Sequence, residues 1–252
     1  MPKTVLITGA TSGIGKACAE KFAANGFNVA ITGRREERLQ EIKKDLENRH
    51  GITCYTSCFD VRNRKDTEAG IAALKEQCGT IDILVNNAGL ALGRDYFENC
   101  DRNDWDVMIE TNINGLLNTS MAVIPLMIAQ GNGHIINMGS IAGREVYEKG
   151  NIYCATKFAV DAITKSQRAD LLRHGIKVTG IHPGAVETEF SLVRFKGDQE
   201  TAGSMYKGYR PLVAEDVAET VYFCATLPAH VCVNDLSVTC LSQANSYYTL
   251  KN

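Results

Sequence analysis

Val5-Leu6-Ile7-Thr8-Gly9-Ala10-Thr11-Ser12-Gly13-Ile14-Gly15 is a short apolar run that feeds directly into a glycine-rich turn. Residues 13–25 then carry a helical pattern stopped by Asn25-Gly26. A strand, a glycine turn and a helix in immediate succession put free backbone N–H groups and a positive helix end at one spot, which favours an anion. Glycines at 9, 13 and 15 let the backbone approach a pyrophosphate there, with Thr11, Ser12 and Ile14 filling the turn. A tight turn without a ligand is the plainer alternative, and the fingerprint counts only inside a βαβ unit. Gly15-Lys16 suggests a nucleoside-triphosphate loop but fails that test. The position five before Gly15 is Ala10, and Ala17 stands where a metal-binding Ser or Thr belongs.

The βαβ context extends along the whole chain. Strand patterns at 5–8, 28–32, 53–61, 81–86, 134–138 and 177–182 alternate with helical ones at 13–25, 35–50, 64–77, 104–130 and 153–174. The last quarter holds an irregular stretch, a helix near 214–227 and a closing strand near 236–241. Alternation at this spacing predicts α/β architecture: a doubly wound parallel sheet, or Rossmann fold, with helices on both faces. Repeats and linkers are absent, so residues 1–252 read as one dinucleotide-binding domain with a substrate loop at about 185–212.

Composition narrows the function. A net charge of −2 with both signs interspersed gives no footprint for nucleic acid or an anionic membrane. The nine cysteines are odd in number and form no Cys-x-x-Cys pair, so no metal is expected and a reducing, cytoplasmic setting is. No apolar run reaches membrane-spanning length, and no secretory signal is apparent.

The second strand bears on the choice of dinucleotide. An NAD site places an acid at this strand's end to hold the ribose 2′-OH. Here the strand ends Ile31-Thr32-Gly33-Arg34-Arg35, and two guanidiniums suit a 2′-phosphate instead. The alternative, that both merely solvate a helix start, puts cations where the helix dipole disfavours them. NADP(H) is the expected cofactor.

Chemistry enters at Tyr153-Cys154-Ala155-Thr156-Lys157. On a helix Tyr153 and Lys157 share a face. Forming a phenolate at neutral pH costs roughly 4 kcal/mol, and an ammonium nearby lowers that cost. Ser140 follows the apolar run Ile135-Ile136-Asn137-Met138, which places a hydroxyl at the carboxyl end of a strand. By contrast, His134 and His182 flank strands without a ligand constellation, Cys154 reads as a packed small residue, and Trp105 as the anchor of a long helix.

Taken together, Thr8-Gly-x-x-x-Gly13-x-Gly15, Asn86-Asn87-Ala88-Gly89, Asn112, Ser140, Tyr153-x-x-x-Lys157 and Pro183-Gly184 resemble the short-chain dehydrogenase/reductase family over essentially the whole chain. The resemblance implies a catalytic tetrad of Asn112, Ser140, Tyr153 and Lys157. Tyr153 is then the acid/base, Ser140 holds the substrate oxygen, Lys157 binds nicotinamide ribose and depresses the tyrosine pKa, and Asn112 holds a water behind the lysine. It further implies adenine contacts from Asp60 and Val61, a ribose wall of Asn87, Ala88 and Gly89, and a nicotinamide loop with Pro183, Gly184, Val186 and Thr188. A homotetramer packed partly through the long helices is also implied.

Three stretches, 86–93, 187–198 and 226–234, are similar to NADP-dependent 3-hydroxy acid dehydrogenases and to sulfoacetaldehyde reductases. Two departures leave the substrate open: Glu145-Val146-Tyr147 replaces an aromatic-Pro-Tyr run, and Ser237–Ser242 lacks the usual proline. The expected substrate is a small anionic hydroxy compound or its aldehyde or ketone, with Arg194 holding the anion and Tyr147 adding its hydroxyl from the opposite wall. The alternative for Arg194 is a surface pairing with Glu187, Glu189 or Asp198. Other readings of the function are a reductase of a larger apolar carbonyl and a redox-sensing NADP-binding protein; the intact tetrad favours an enzyme.

Overall fold

Near-continuous apolar strands are the mark of a sheet buried on both faces, because successive side chains point to opposite sides. In the computed structural model, which describes residues 2–252, that is how β1 (Thr4–Ile7), β4 (Ile83–Asn86) and β5 (Gly133–Met138) are used. Val5, Ile7, Ile83, Val85, Ile136 and Met138 join one apolar cluster, while Leu6, Leu84 and Ile135 join the other.

Seven strands form one sheet in the order β3-β2-β1-β4-β5-β6-β9, every pair parallel. The others are β2 (Asn28–Gly33), β3 (Cys54–Cys58), β6 (Ile176–Pro183) and β9 (Asp235–Val238). The helices are α1 (Gly13–Ala24), α2 (Glu36–His50), α3 (Arg64–Cys78), α4 (Arg102–Ile109), α5 (Gly115–Gln130), α6 (Asn151–Leu171), α7 (Glu189–Arg194), α8 (Gln199–Ser204) and α9 (Ala214–Thr226). Helix α1 packs on α9 through Phe22, whose ring meets Phe27 and Tyr222 edge-on at 5.2 and 5.4 Å. The chain runs outward from β1 to β3, then returns to place β4 on the other side of β1. That reversal opens a crevice beyond the carboxyl ends of β1 and β4, where doubly wound sheets bind ligands.

Several boundaries differ from the sequence expectation, each for a local reason. The third strand stops at Cys58, level with Gly33, and Asp60 and Val61 turn out of the sheet toward the crevice. The expected 104–130 helix is α4 and α5 joined by a π-helical turn at Glu110–Asn114, and Pro125 is accommodated inside α5. The expected closing strand ends at Val238, leaving Leu241 fully exposed. Two-residue strands β7 (Val186–Glu187) and β8 (Leu212–Val213) pair in parallel, which fastens the base of the 188–211 excursion.

One expectation needs correcting. The rod Arg102–Gln130, 29 residues long, is long and apolar enough to cross a membrane by length and composition alone. Its apolarity has uses in this fold: Val123 and Met127 are buried in the sheet-side cluster with Leu74 of α3. Leu117, Met121 and Ile128 form an exposed apolar strip on the same rod.

Candidate active site

The glycine turn after β1 is held from behind. Thr8 Oγ1 accepts the backbone N–H groups of Asn87 and Ala88, both at 3.0 Å, and Asn87 Nδ2 donates to Thr8 O at 2.9 Å. This staples the end of β4 to the end of β1. A Cβ on Gly15 would lie 2.5 Å from Asn87 Nδ2, so only glycine lets α1 start this close to the wall. Ser12 precedes α1 without capping it, and no acid sits in the first turn, whereas Asn63, Asp101, Thr188 and Asp198 cap α3, α4, α7 and α8. The N-terminal N–H groups of α1 thus have no side-chain acceptor and face the crevice, which fits a pyrophosphate.

One continuous cleft runs from this turn to Tyr153. It is lined by Gly9, Thr11, Ser12, Gly13, Ile14, Arg34, Arg35, Asp60, Val61, Asn87, Ala88 and Gly89, then Ser140, Tyr153, Lys157, Pro183, Gly184, Val186 and Thr188. Of the expected cofactor residues only Gly15 stands behind the wall. Arg35 lies across the turn, with Nε and Nη2 donating to Thr11 Oγ1 at 3.1 and 2.7 Å and Nη2 to Ser12 Oγ at 2.9 Å. Arg34 is more exposed, 3.9 Å from Asp60. Burial pushes the Asp60 carboxyl up, but its hydrogen bonds with Arg62 outweigh this and hold it below the usual range.

At the far end, Ser140 caps a 3₁₀ turn, its Oγ accepting from Ala142 N at 3.1 Å and donating to Pro183 O at 3.4 Å. Gly143 lets that turn pack directly on α6, since a Cβ there would meet Lys157 O at 2.5 Å. Tyr153 is buried with its ring 5.7 Å from that of Phe190. Burial, reinforced by Tyr147, pushes its phenol pKa up, while Ser140 and Arg194 pull the other way. The net shift is upward, so burial outweighs the depression expected of Lys157. Lys157 Nζ is buried and donates to Met138 O at 2.9 Å, and burial lowers its own pKa to about 8. In this state Tyr153 is a protonated phenol at neutral pH, an acid ready to donate.

Asn112 has a positioning part in this structure. It sits in the π-helical turn with its side chain occupied: Oδ1 accepts from Leu90 N at 2.8 Å, and Nδ2 donates to Leu90 O at 2.8 Å and Thr156 Oγ1 at 3.0 Å. Thr156 in turn donates to Tyr153 O at 2.8 Å. The Asn112 side chain thus steadies the first turn of α6 and the segment after Gly89.

Arg194 is buried, and the surface pairings open to it in sequence do not form: no carboxylate lies within 4.0 Å of it among the described residues. Nη1 donates to Tyr147 Oη at 2.9 Å and Nε to Gly93 O at 3.1 Å, with the guanidinium 5.6 Å from the Tyr153 ring centre. Tyr147 was expected on the opposite wall and is instead bonded directly to Arg194. Neither Arg194 nor Tyr147 lines the cleft itself, whereas Tyr153, Phe190 and Val193 do. Sequence reasoning gave no part in the site to Thr8, Phe190 or Glu189; the last two lie in the 187–198 stretch without any period to single them out.

His182 does have acidic company, contrary to the sequence reading. Ligand atoms of Asp161, His182 and Asp235 lie within 4.8 Å of one another. A guanidinium already takes that place, since Arg144 Nη2 is 3.1, 3.0 and 2.8 Å from Asp161, His182 and Asp235.

Comparison with known proteins agrees with this geometry. The family described as short chain dehydrogenase matches residues 3–198. Sulfoacetaldehyde reductase 2 of Chromohalobacter salexigens is 45% identical over 251 residues, 99% of each chain. The NADP-dependent 3-hydroxy acid dehydrogenase YdfG of Escherichia coli K12 is 46% identical over 241 residues, covering 95% of this chain and 96% of that one. Among solved structures, the closed form of serine dehydrogenase complexed with NADP+ superposes with a TM-score of 0.93 at 44% identity, covering 99% of both chains.

Proposed function

The chain belongs to the short-chain dehydrogenase family, and from that we propose that it interconverts a small anionic hydroxy compound, sulfonate or 3-hydroxy carboxylate, with its aldehyde or ketone. It is an NADP-dependent oxidoreductase of small hydroxy and keto compounds; its relatives of 45–46% identity are named a sulfoacetaldehyde reductase and an NADP-dependent 3-hydroxy acid dehydrogenase. The observation that carries the finer reading is Arg194, a buried cation without a carboxylate, 5.6 Å from the Tyr153 ring. Burying a lone charge is costly, and a substrate anion supplies the missing partner. Its Nη2 makes no hydrogen bond among the described residues, and Tyr147 Oη accepts from Nη1, which leaves the phenol proton to donate. The pair offers a two-point hold on an anionic group that extends past the cleft lining.

When bound, NADP(H) would supply or take the hydride; Arg34 and Arg35 would hold its 2′-phosphate and the free end of α1 its pyrophosphate. The protein's own part is proton and charge handling. Tyr153 donates its proton to the oxygen that becomes the alcohol, Ser140 holds that oxygen by a hydrogen bond, and the Lys157 ammonium stabilises the phenolate left behind. In oxidation the same groups work in reverse.

A larger apolar substrate finds walls in Leu90, Phe190 and Val193, yet would leave Arg194 uncompensated. The exposed strip of Leu117, Met121 and Ile128, with Phe158 of α6, supports a homotetramer through these helices. Nine free thiols suit a reducing cytoplasm. The function is tested by following NADPH consumption with sulfoacetaldehyde and with malonic and succinic semialdehydes, beside NADP reduction with serine and 3-hydroxypropionate. Turnover of one of these anions well above that of neutral aldehydes of equal size is expected; preference for bulky apolar carbonyls would overturn it.

A further inference from the structure

The second strand carries no acid toward the cofactor's ribose, but the fold delivers one from 154 residues away. Glu189, the first residue of α7, places Oε2 3.1 Å from Arg35 Nη1, and its Oε1 and Oε2 2.9 and 3.2 Å from Arg38 Nη1. The other side of the Arg35 fork is on Thr11 and Ser12 of the glycine turn. One carboxylate thus bridges two guanidiniums beside the place assigned to the 2′-phosphate. Beside it, Thr188 lies 3.4 Å from where a Cβ of Gly13 would stand, so the start of α7 rests on the dinucleotide turn itself.

We propose that Glu189 is an internal stand-in for the cofactor's 2′-phosphate: it holds Arg35 and Arg38 until the phosphate takes them, and its release loosens the start of α7. The proposal rests on the reading of Arg35 as a 2′-phosphate ligand. A phosphate monoester carries about −1.5 to −2 charges at neutral pH against the single charge of a carboxylate, and offers three oxygens. It therefore wins the guanidiniums and repels the carboxylate it replaces. A 2′-hydroxyl has no such means, so the unphosphorylated cofactor leaves the contact in place. The consequence reaches the substrate end, because α7 begins at Glu189, carries Phe190 on the Tyr153 ring, and ends at Arg194. Glu189 is thus a specificity-determining residue that acts through the arginines, and its state is felt along one short helix at the anion-holding residue.

The test uses the whole protein and two fragments of the cofactor, adenosine 2′,5′-bisphosphate and 5′-AMP, with binding measured by calorimetry. Glu189→Gln should tighten the bisphosphate about threefold or more, the order expected on removing two half-exposed ion pairs, and leave 5′-AMP unchanged. Glu187→Gln removes the same charge two residues away, where no arginine contacts it, and should change neither. Amide exchange at residues 188–195 should speed up in the natural protein on saturation with the bisphosphate, and be fast in Glu189→Gln without it. The proposal is overturned if Glu189→Gln leaves the bisphosphate unchanged or weakens it, or if exchange slows in both proteins. Arg35→Ala separates the two layers. If it fails to weaken the bisphosphate relative to 5′-AMP, the phosphate reading itself falls and the stand-in with it; if it does weaken it while Glu189→Gln has no effect, only the stand-in is lost.

Discussion

Replacing Arg194 separates charge recognition from loop support. The guanidinium makes two bonds to the protein, Nη1 to Tyr147 Oη and Nε to Gly93 O, and keeps Nη2 for a ligand. In Arg194→Met the stem stays packed while all three are lost. A charge-assisted bond to a substrate anion is worth about 1.5–3 kcal/mol. With the electrostatic attraction of a partly dry site added, kcat/KM for an anionic aldehyde should fall by roughly 2–4 kcal/mol. A neutral aldehyde of the same size loses only what the Tyr147 and Gly93 anchors contribute to the shape of the wall, about 1 kcal/mol. The readout is the ratio of the two kcat/KM values with saturating NADPH, which should drop by about 1–3 kcal/mol, or roughly fivefold to 150-fold. Arg194→Lys should restore part of that ratio, since it keeps the charge and loses the fork. Equal losses on charged and neutral substrates would mean that Arg194 only supports the 93–96 segment and never meets the anion.

Three further outcomes follow from the site and the core. In steady-state kinetics kcat/KM should favour NADPH over NADH by at least about tenfold, and Arg35→Ala should erode this mainly through the KM for NADPH; equal efficiency with both cofactors in the natural protein would refute the assignment. Lys157, lowered to about 8 by burial, is charged below that value and neutral above it, so kcat/KM for reduction should fall as pH rises through about 8; a flat profile to pH 9.5 would remove the ammonium from the mechanism. His134 is buried against Thr179 Oγ1 at 2.8 Å with its pKa lowered to about 3 by burial, against 6.5 for a free imidazole. Between those values the unfolded chain binds the extra proton, so stability is lost as pH falls below about 6.5. The natural protein should lose about 1 kcal/mol more than His134→Gln between pH 7.5 and 5.5 in urea denaturation; identical losses would contradict it.

What was legible in the sequence was the part built from short-range pattern. The apolar runs at 5–8, 81–86 and 134–138 are buried on both faces, so they stand out against polar turns, and the glycine turn announces itself because α1 cannot start against Asn87 with any other residue at position 15. Residues whose partners are distant left no such mark. Glu189 meets Arg35 across 154 positions, and Asp161, His182 and Asp235 gather around Arg144 from three separate elements. Strands of two residues, as in β7 and β8, are too short to show a period. The π-helical turn at 110–114 lies inside an unbroken helical pattern, and only the fold shows that Asn112 spends its side chain on Leu90 and Thr156. Tyr153 and Lys157 were legible as a pair on one helix face, but not the depth of burial that sets the protonation of each.

Tyr153 as proton donor stands or falls on Tyr153→Phe examined in two steps. NADPH binding, followed by the change in its fluorescence, should remain within about threefold of the natural protein, because the substitution removes one hydroxyl and keeps the ring on Phe190. A single turnover with sulfoacetaldehyde or malonic semialdehyde should then be slower by at least about a thousandfold, roughly 4 kcal/mol at the transition state. A variant that binds NADPH normally and still turns over at a tenth of the natural rate would place the acid on another residue.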